Sequence, residues 1–257
     1  MKIIDCFVIY NELNMLEYRL NMLNNLVDVF VIVEATHTFV GKEKPLYYKK
    51  NRARYTKFKD KIIHVVVDDM PNKGNPWQNE SHQRNQIHQG VKSLNLHPND
   101  LLIISDLDEI PDPRVIQEKK HTNIWIKHLP MDLYRYNCNW RHESFIWKKA
   151  KILCYAKYKQ YESVEYIRKA RVGPLSEKCG WHLSYFGGAE FIHNKLNNFA
   201  HQEPAVQSIN NIQEIERRIK SGLDLHRKNR GMDLTYIPTN ENQYLPLNHE
   251  SLYNIIN

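Results

Sequence analysis

Short apolar runs alternate with segments of helical periodicity in the first half of the chain. Runs at Ile3–Ile9, Val29–Val33, Ile62–Val67 and Leu101–Ser105 are typical of strands that are buried on both faces. Between the first two runs, leucines recur at helical spacing and predict a helix over Glu12–Leu26. A strand, a helix and a strand within about 30 residues form a βαβ unit, which begins a mostly parallel sheet. The pattern therefore predicts an α/β fold with a Rossmann-like central sheet flanked by helices.

The pattern changes character after the fourth strand. Alternation over Asn123–Trp140 indicates long or paired strands, and aromatic residues are dense just beyond it. Further helices are expected over Asn79–Leu94, near Ala189–Phe199, and over a last amphipathic segment that Gly222 ends. The second half thus combines an aromatic-rich β region with amphipathic helices.

Carboxylates follow three of the predicted strands, at Glu34, Asp68 and Asp106. The carboxyl ends of parallel strands share one edge of the sheet, and ligands of open α/β sheets bind at that edge. Glu34 and Asp68 are therefore candidates for contacts with the base and ribose of a nucleotide. The alternative for each is an ordinary solvated turn, and the sequence leaves both open.

The segment after the fourth strand carries the strongest chemical signal. Asp106 and Asp108 project from the same side of an extended chain, and Pro111 and Pro113 stop strand pairing just beyond. A hard divalent cation, Mn²⁺ or Mg²⁺, prefers such oxygen ligands and often shares them with substrate phosphates. Asp108 is the better candidate for direct coordination, while Asp106 binds the metal, acts through water or holds a ribose. A solvated turn is the alternative, because Asp-x-Asp alone is a weak motif.

Composition adds an anionic partner to this picture. The chain has 257 residues, 42% of them hydrophobic, and a formal net charge of +7, which favours a globular protein that binds nucleotide, phosphate, nucleic acid or a membrane surface. Basic residues are dense in a predicted loop over Gly41–Lys61, most of which we expect to be a solvated face. No recognisable nucleic-acid-binding motif accompanies them, so nucleic acid is not an expected partner.

The sequence shows no internal repeat and no convincing linker. We predict one domain over residues 1–257, with a nucleotide-binding half at about 1–113 and a substrate-facing half at about 114–257. The four cysteines form no C-x-x-C pair and are expected to be free buried thiols. No apolar run approaches the roughly 20 residues of a membrane span, and the first residues do not resemble a signal peptide. We therefore expect a cytoplasmic protein without a transmembrane segment, and leave its oligomeric state open.

Several short motifs together resemble glycosyltransferase family seventeen. The resemblance runs from about Lys2 to Gly222, and the acidic string and the Trp-His pair are its most specific parts. The residues that carry it are Asp5–Phe7, Asn11–Glu12, Val27–Asp28, Phe30–Glu34, Thr38–Phe39, Gly41, Pro45–Leu46, Asp106–Pro111 and Gly180–His182.

Membership of that family implies a GT-A fold, a UDP-sugar donor, a divalent cation and inversion at the sugar carbon. The resemblance favours N-acetylglucosamine as the sugar and a glycan or glycoprotein as the acceptor. The 1–113 half would then bind the nucleotide-sugar and the 114–257 half the acceptor. The short chain, rich in Asn, Lys and Ile, fits a microbial or viral origin, in which case it would work in the host cytoplasm.

The family pattern and the local sequence together nominate residues for the chemistry. His182 matches the pattern as a third metal ligand, although a structural histidine is the common alternative. Arg84 either reaches the diphosphate with its fork of donors or pairs with Glu80 one turn earlier. The first choice for the general base is Glu190, where the family also shows a Glu; its alternative is a first-turn acid that favours its own helix.

Two further acids, Glu109 and Glu143, are the second choices for the base. Three classes of function stay open. The leading one is a metal-dependent inverting glycosyltransferase. The others are a metal-dependent nuclease or phosphotransferase, which needs more acids for a two-metal site, and a catalytically silent sugar-binding module.

Overall fold

The computed structural model describes residues 1–71, 74–225 and 234–253. Within these residues the strands form two sheets, and helices pack on both faces of the first. The strands are β1 Ile3–Ile9, β2 Val29–Ala35, β3 Ile62–Val67, β4 Leu101–Ile104, β5 Glu109–Pro111, β6 Ile126–His128, β7 Met131–Arg135, β8 Trp140–Trp147, β9 Lys151–Cys154, β10 Gly180–Ser184 and β11 Thr235–Tyr236. The helices are α1 Leu13–Leu23, α2 Tyr47–Asn51, α3 Pro76–Asn85, α4 Ile87–Lys92, α5 Pro113–Lys119, α6 Tyr155–Tyr158, α7 Val164–Lys169, α8 Ala189–Asn198, α9 Pro204–Gln207 and α10 Ile212–Ser221, with 3-10 helices at Arg52–Lys61 and His249–Leu252.

The first sheet has the strand order β3-β2-β1-β4-β9-β6. Its first four strands are parallel, and β9 and β6 add antiparallel pairs at one side. Alternate residues of β4 enter opposite cores: Leu101 and Ile103 pack on the side of α1, and Leu102 and Ile104 on the side of α4 and α7. Both faces are covered, which is why the sequence shows continuous apolar runs here. The predicted α/β class and mostly parallel sheet are confirmed.

The second sheet has the strand order β11-β8-β7-β10-β5. Its first strand along the chain, β5, follows the acidic segment that comes after β4. β4 ends at Ile104 in the first sheet, and β5 starts at Glu109 in the second, so Asp106 and Asp108 lie on the loop between the two sheets. β10 pairs parallel with β7 and antiparallel with β5. Strands from both sides of residue 113 contribute to each sheet, because β5 joins the second sheet while β6 and β9 join the first.

Two predicted elements differ from the structure. The helix expected over Asn79–Leu94 is two helices, α3 and α4, which meet at Gln86. The segment Gly41–Lys61, expected to be a loop, folds into α2 and a 3-10 helix because its aromatic side chains are buried: the Tyr55 hydroxyl donates to the Leu13 carbonyl at 2.9 Å, and Phe58 is 3% exposed. Hydrophobic anchoring of this kind overrides a polar, basic composition.

Several simpler expectations are confirmed. All four cysteines are free and buried. Gly222 adopts a left-handed conformation at the end of α10, with a φ of 65°, as a helix-ending glycine does. In the described ranges no helix combines the length and the apolar character needed to cross a bilayer.

Candidate functional site

A cleft of about 920 Å³ opens between the carboxyl edge of the first sheet and one face of the second. The end of β1 and the loop after β4 form one wall, and residues of β7, β8 and β10 form the other. Residues that carry chemistry along it include Glu12, Glu80, Arg84, Asp106, Asp108, Arg135, His142, Trp147, Arg168, His182, Lys195 and Asp224. The cleft thus lies at the edge of the sheet where the sequence predicts a ligand site.

Asp106 lies in the cleft between two buried arginines. Its two carboxylate oxygens accept hydrogen bonds from Arg84 at 3.0 Å and from Arg168 at 2.7 Å. Arg84 also pairs with Glu80, which was the alternative expected for it from the i,i+4 spacing, and with Glu165. Burial acts to raise the pKa of the Asp106 carboxyl, but Arg168 and Arg84 outweigh it and hold that pKa below its ordinary value. Asp106 is therefore a carboxylate.

Asp108 is held by a different set of cations. The Lys195 ammonium of α8 lies 3.3 Å from one carboxylate oxygen, and His182 Nε2 lies 3.5 Å from the other. Burial opposes ionisation of Asp108, yet Lys195 and His182 keep its pKa well below the ordinary value. Lys195 also pairs with Glu12 at 3.2 Å, and these two acids raise the lysine's pKa against the effect of burial. Lys195 is thus a fixed positive charge in the cleft.

The backbone of β10 places His182 beside the acidic loop. The Leu183 N–H donates to the Asp108 carbonyl at 2.8 Å, which fixes the neighbouring histidine against the Asp108 side chain. The His182 ring lies 4.4 Å from the Trp147 ring, centroid to centroid. Its Nδ1 is buried and has no hydrogen-bond partner among the described residues.

The predicted metal ligands are only partly brought together. Asp108 and His182 are adjacent and both line the cleft, so the Asp108 carboxylate and His182 Nε2 are the atoms that could share a divalent cation. Asp106 is turned into the Arg84–Arg168 pair instead. Over the part of the chain that the structure describes, no three Asp, Glu, His or Cys side chains form a ligand set.

Glu109 lies beneath the cleft, and the structure does not place it as a base. It is 0% exposed, and its carboxylate accepts hydrogen bonds from Arg168 at 2.7 and 2.8 Å and from the Trp147 indole at 2.6 Å. Glu109 also accepts from the Asp106 backbone N–H at 2.9 Å. Its role visible in the structure is to orient Arg168, Trp147 and the acidic loop.

Three other predicted residues lie away from the cleft lining. Glu34 is fully buried and accepts from the N–H groups of Tyr48 and Lys49 at the start of α2, so it caps that helix instead of facing a nucleotide. Asp68 is exposed just after β3, where the solvated-turn alternative applies. Glu190 is exposed on the first turn of α8 and is not among the cleft residues, which corrects its expected position.

Sequence reasoning missed several residues that the cleft contains. Arg168 on α7 and Lys195 on α8 provide the positive charge beside Asp106 and Asp108, and neither belongs to a motif. A histidine–aspartate pair, His142 with Asp224, was also missed. An arginine or lysine buried on the apolar face of a predicted helix is the one signal that could have found the first two.

Comparison with known proteins agrees with the predicted resemblance. The chain belongs to a family of sugar-transferring enzymes, glycosyltransferase family 17, whose family model matches residues 1–229. Similar proteins are the β-1,4-mannosyl-glycoprotein 4-β-N-acetylglucosaminyltransferases of Rattus norvegicus, at 32% identity over 116 residues, and of Homo sapiens, at 31%. The aligned part is 43% of this chain and 22% of each relative, so the chain spans about a fifth of the length of the curated relatives it matches.

One solved structure that matches this chain at low similarity is a sugar-transferring enzyme. It is a galactosyltransferase crystallised with donor and acceptor sugar analogues, 9% identical, with a TM-score of 0.38. The match covers 99% of this chain and 95% of that one.

Proposed function

We propose that this glycosyltransferase moves N-acetylglucosamine from UDP-N-acetylglucosamine to a hydroxyl of a glycan or glycoprotein, with inversion and with the help of Mn²⁺ or Mg²⁺. The observation that carries the proposal is the group of Asp106, Asp108, Arg84 and Arg168 at the carboxyl edge of a parallel sheet, in a chain of family 17. The names of the mammalian relatives support the sugar and the acceptor class. A GT-A fold is the expectation for this family.

Such a transfer requires the protein to stabilise negative charge on the leaving group. When the sugar leaves, negative charge develops on the diphosphate, and fixed cations in a dry cleft stabilise it without reorganising. Both Nη groups of Arg84 and of Arg168 now donate to carboxylates, so each arginine would share these donors with phosphate oxygens. Both are buried and oriented by carboxylates, so they are preorganised to do so.

Asp108 and His182 are the residues proposed to hold the divalent cation. An ion bound there supplies Lewis-acid stabilisation of the leaving diphosphate. Lys195 now forms an ion pair with one oxygen of the Asp108 carboxylate. When the ion binds, Lys195 would either share that oxygen with the ion or move away from it. Asp106 stays with its two arginines and is proposed to orient them toward the donor.

Ligand-dependent melting tests the donor. With UDP and MnCl₂ at about 100 times the dissociation constant, mass action should stabilise the fold by about 2.7 kcal/mol. For a chain of this size that corresponds to a rise in melting temperature of about 5–10 °C. UDP alone and MnCl₂ alone should each give less.

The other function classes are separate outcomes of the same test. A rise in melting temperature with GDP or CDP and none with UDP would mean that the donor carries a nucleotide other than UDP. A rise with free glycan and none with any nucleotide would identify a silent sugar-binding module. Cleavage of a phosphodiester substrate in MnCl₂ would indicate the nuclease alternative.

A further inference from the structure

The far end of the cleft contains a histidine–aspartate pair that the donor site does not use. His142 on β8 and Asp224, just after α10, both line the cleft. His142 Nε2 lies 2.6 Å from an Asp224 carboxylate oxygen. The two residues are each 6% exposed, so the contact is shielded from bulk water. A short, buried hydrogen bond of this kind fixes the orientation and the tautomer of an imidazole.

Neighbouring strands hold Asp224 in this position. Arg135, at the end of β7, has its Nε 3.5 Å from the same carboxylate oxygen, and its guanidinium also donates to Ser184 Oγ on β10. Arg218 on α10 donates to the Asp224 carbonyl at 2.7 Å. The Asp224 carboxylate therefore contacts β7 and β8, and α10 holds the backbone of the same residue. When the imidazole donates its Nε2 proton to Asp224, Nδ1 is the ring nitrogen that remains to accept a proton.

Five other acids of the cleft are paired with lysine or arginine. Among the described residues, Glu80, Asp106 and Glu165 pair with Arg84, while Glu12 and Asp108 pair with Lys195. The remaining acid, Glu203, is half-exposed and lies beside His201. A carboxylate paired with lysine or arginine is a weak base, because accepting a proton would leave the cation unpaired. A histidine that takes up a proton beside a carboxylate forms an ion pair instead.

We propose that His142 is the general base of the transfer and that Asp224 is its positioning residue. This inference rests on the proposed function. In the step, His142 Nδ1 takes the proton of the acceptor hydroxyl, and the hydroxyl oxygen forms its bond to the anomeric carbon of the donor sugar. The bond from that carbon to the diphosphate oxygen breaks, and its electron pair leaves on UDP. Asp224 stabilises the imidazolium that results, as in other histidine–aspartate pairs.

The surroundings of His142 favour a sugar as the acceptor. Aromatic rings lead from His142 toward the donor site: Phe145 lies 6.2 Å from His142, Trp147 lies 6.2 Å from Phe145, and His182 lies 4.4 Å from Trp147. Phe145 and Trp147 both line the cleft, and Phe145 is 38% exposed. The C–H faces of sugar rings pack on such aromatic surfaces. An acceptor sugar that packs on Phe145 and Trp147 would lie along the wall of the cleft between His142 and His182.

Three variants test the base. His142→Gln keeps a donor to Asp224 and removes the basic nitrogen, so transfer from UDP-N-acetylglucosamine to a soluble β-mannosyl glycopeptide should fall about 10²–10⁴-fold. Calorimetric affinity for UDP with MnCl₂ should stay within threefold of the wild type. Asp224→Asn should lower the transfer rate at least about tenfold with the same retained affinity. His142→Ala should recover part of its rate when imidazole is added, which a merely structural histidine would not do. His121→Gln, an exposed histidine after α5, is the matched control and should be unchanged.

The outcomes separate the two proposals. If the wild type transfers sugar and His142→Gln stays within threefold of it, the assignment of the base is wrong while the proposed function stands. Loss of UDP affinity in His142→Gln would make His142 a donor-binding residue and would also overturn the assignment. If the wild type transfers from no nucleotide-sugar, the proposed function itself fails. Should His142→Gln not fold, the Asp224→Asn rate and the imidazole response decide.

Discussion

Arg19 lies on α1, yet its guanidinium reaches the backbone of the loop that carries Asp106 and Asp108. It forms a bidentate pair with Asp5 at 2.7 and 2.8 Å. It also donates to the carbonyls of Asp106, Leu107 and Glu109 and to Ser105 Oγ, all within 3.0 Å. The residue is 0% exposed. One side chain therefore provides hydrogen-bond donors for three backbone carbonyl groups in and next to the loop between the two sheets.

Replacing Arg19 tests how much the loop depends on it. In Arg19→Lys a single ammonium group replaces the planar guanidinium. It cannot reach all the oxygens to which Arg19 donates, so some buried oxygens lose their hydrogen-bond donor. We expect the free energy of unfolding to fall by about 3–5 kcal/mol, measured by urea denaturation. Arg54→Lys, at an exposed pair with Glu17, is the matched control and should change it by less than about 1 kcal/mol. Equal effects of the two substitutions would contradict the anchoring role.

Asp108 tests the proposed metal site at a single residue. Asp108→Asn keeps the shape of the side chain and removes the charge that Lys195 and His182 share. The Mn²⁺-dependent part of the UDP-induced rise in melting temperature should be lost, and the transfer rate should fall at least about 100-fold. Asp68→Asn is the control, because Asp68 is exposed and not among the cleft residues. If Asp68→Asn also lowers UDP affinity, the original prediction of a donor contact at Asp68 is restored.

At the scale of elements, the start of β10 depends on a glycine. Gly180 has a φ of 148°, and a Cβ there would lie 2.2 Å from the Ile110 carbonyl oxygen. β10 can pair with β5 this closely only because position 180 has no side chain. The close pairing in turn places His182, two residues along the strand, beside Asp108.

Gly180→Ala should therefore disturb the whole strand. The clash is with backbone, so the strand must shift, and we expect a loss of about 1–3 kcal/mol in unfolding free energy. UDP affinity in MnCl₂ should fall with it, because His182 moves away from Asp108. In Gly173→Ala the new Cβ would meet only Lys127 Nζ at 3.8 Å, so this control should change stability by less than about 1 kcal/mol. A stable Gly180→Ala with unchanged UDP affinity would show that the pairing adapts.

For the whole molecule, the net charge of +7 does not describe the cleft. Seven acids and seven lysines or arginines of the described chain line it, so their formal charges cancel. Of the basic residues of Gly41–Lys61, Lys44 lines this cleft. Most of that segment's charge is surface charge, as expected, and anion binding depends on a few oriented cations instead of the overall balance.

Charge pairing in the cleft makes stability depend on pH. The pKa values of Asp106, Asp108 and Glu165 are lowered: burial opposes ionisation, and the neighbouring cations outweigh it. A lowered carboxyl pKa contributes stability that is present above the unfolded pKa and is lost as the pH falls through the folded one. Glu80, whose pKa burial raises, opposes this trend. Stability should therefore decrease as the pH falls below about 4.

Acid denaturation of the wild type and of Asp108→Asn checks the direction of this pH dependence. Unfolding free energy measured from pH 5 to pH 2 should fall for the wild type. Asp108→Asn should show a shallower fall, because it no longer has that carboxylate to protonate. Parallel curves would mean that Asp108 contributes no pH-dependent stability.

Local sequence by itself determined the first four strands, the helices α1, α8 and α10, and the position of the acidic loop. The period of apolar residues and the strand-ending acids are properties of contiguous segments, so Leu101–Ile104 could be recognised as a buried strand without knowledge of its neighbours. Predictions were wrong or incomplete for segments whose burial depends on distant partners. The helices within Gly41–Lys61, which was expected to be a loop, are an example. The four free, buried thiols were predicted from the spacing of the cysteines along the chain.

Only the tertiary structure decided which side chains share the cleft. Arg168 reaches Asp106 across 62 positions of the chain, His142 reaches Asp224 across 82, and Arg19 reaches the acidic loop across 87 to 90. Strand order and the path of the loops create these contacts, and neither is written in the periodicity of any one segment. The same reason explains Glu34 and Glu190. Each ends or begins an element as predicted, but the packing of that element turns the carboxylate toward a helix or toward solvent instead of the cleft.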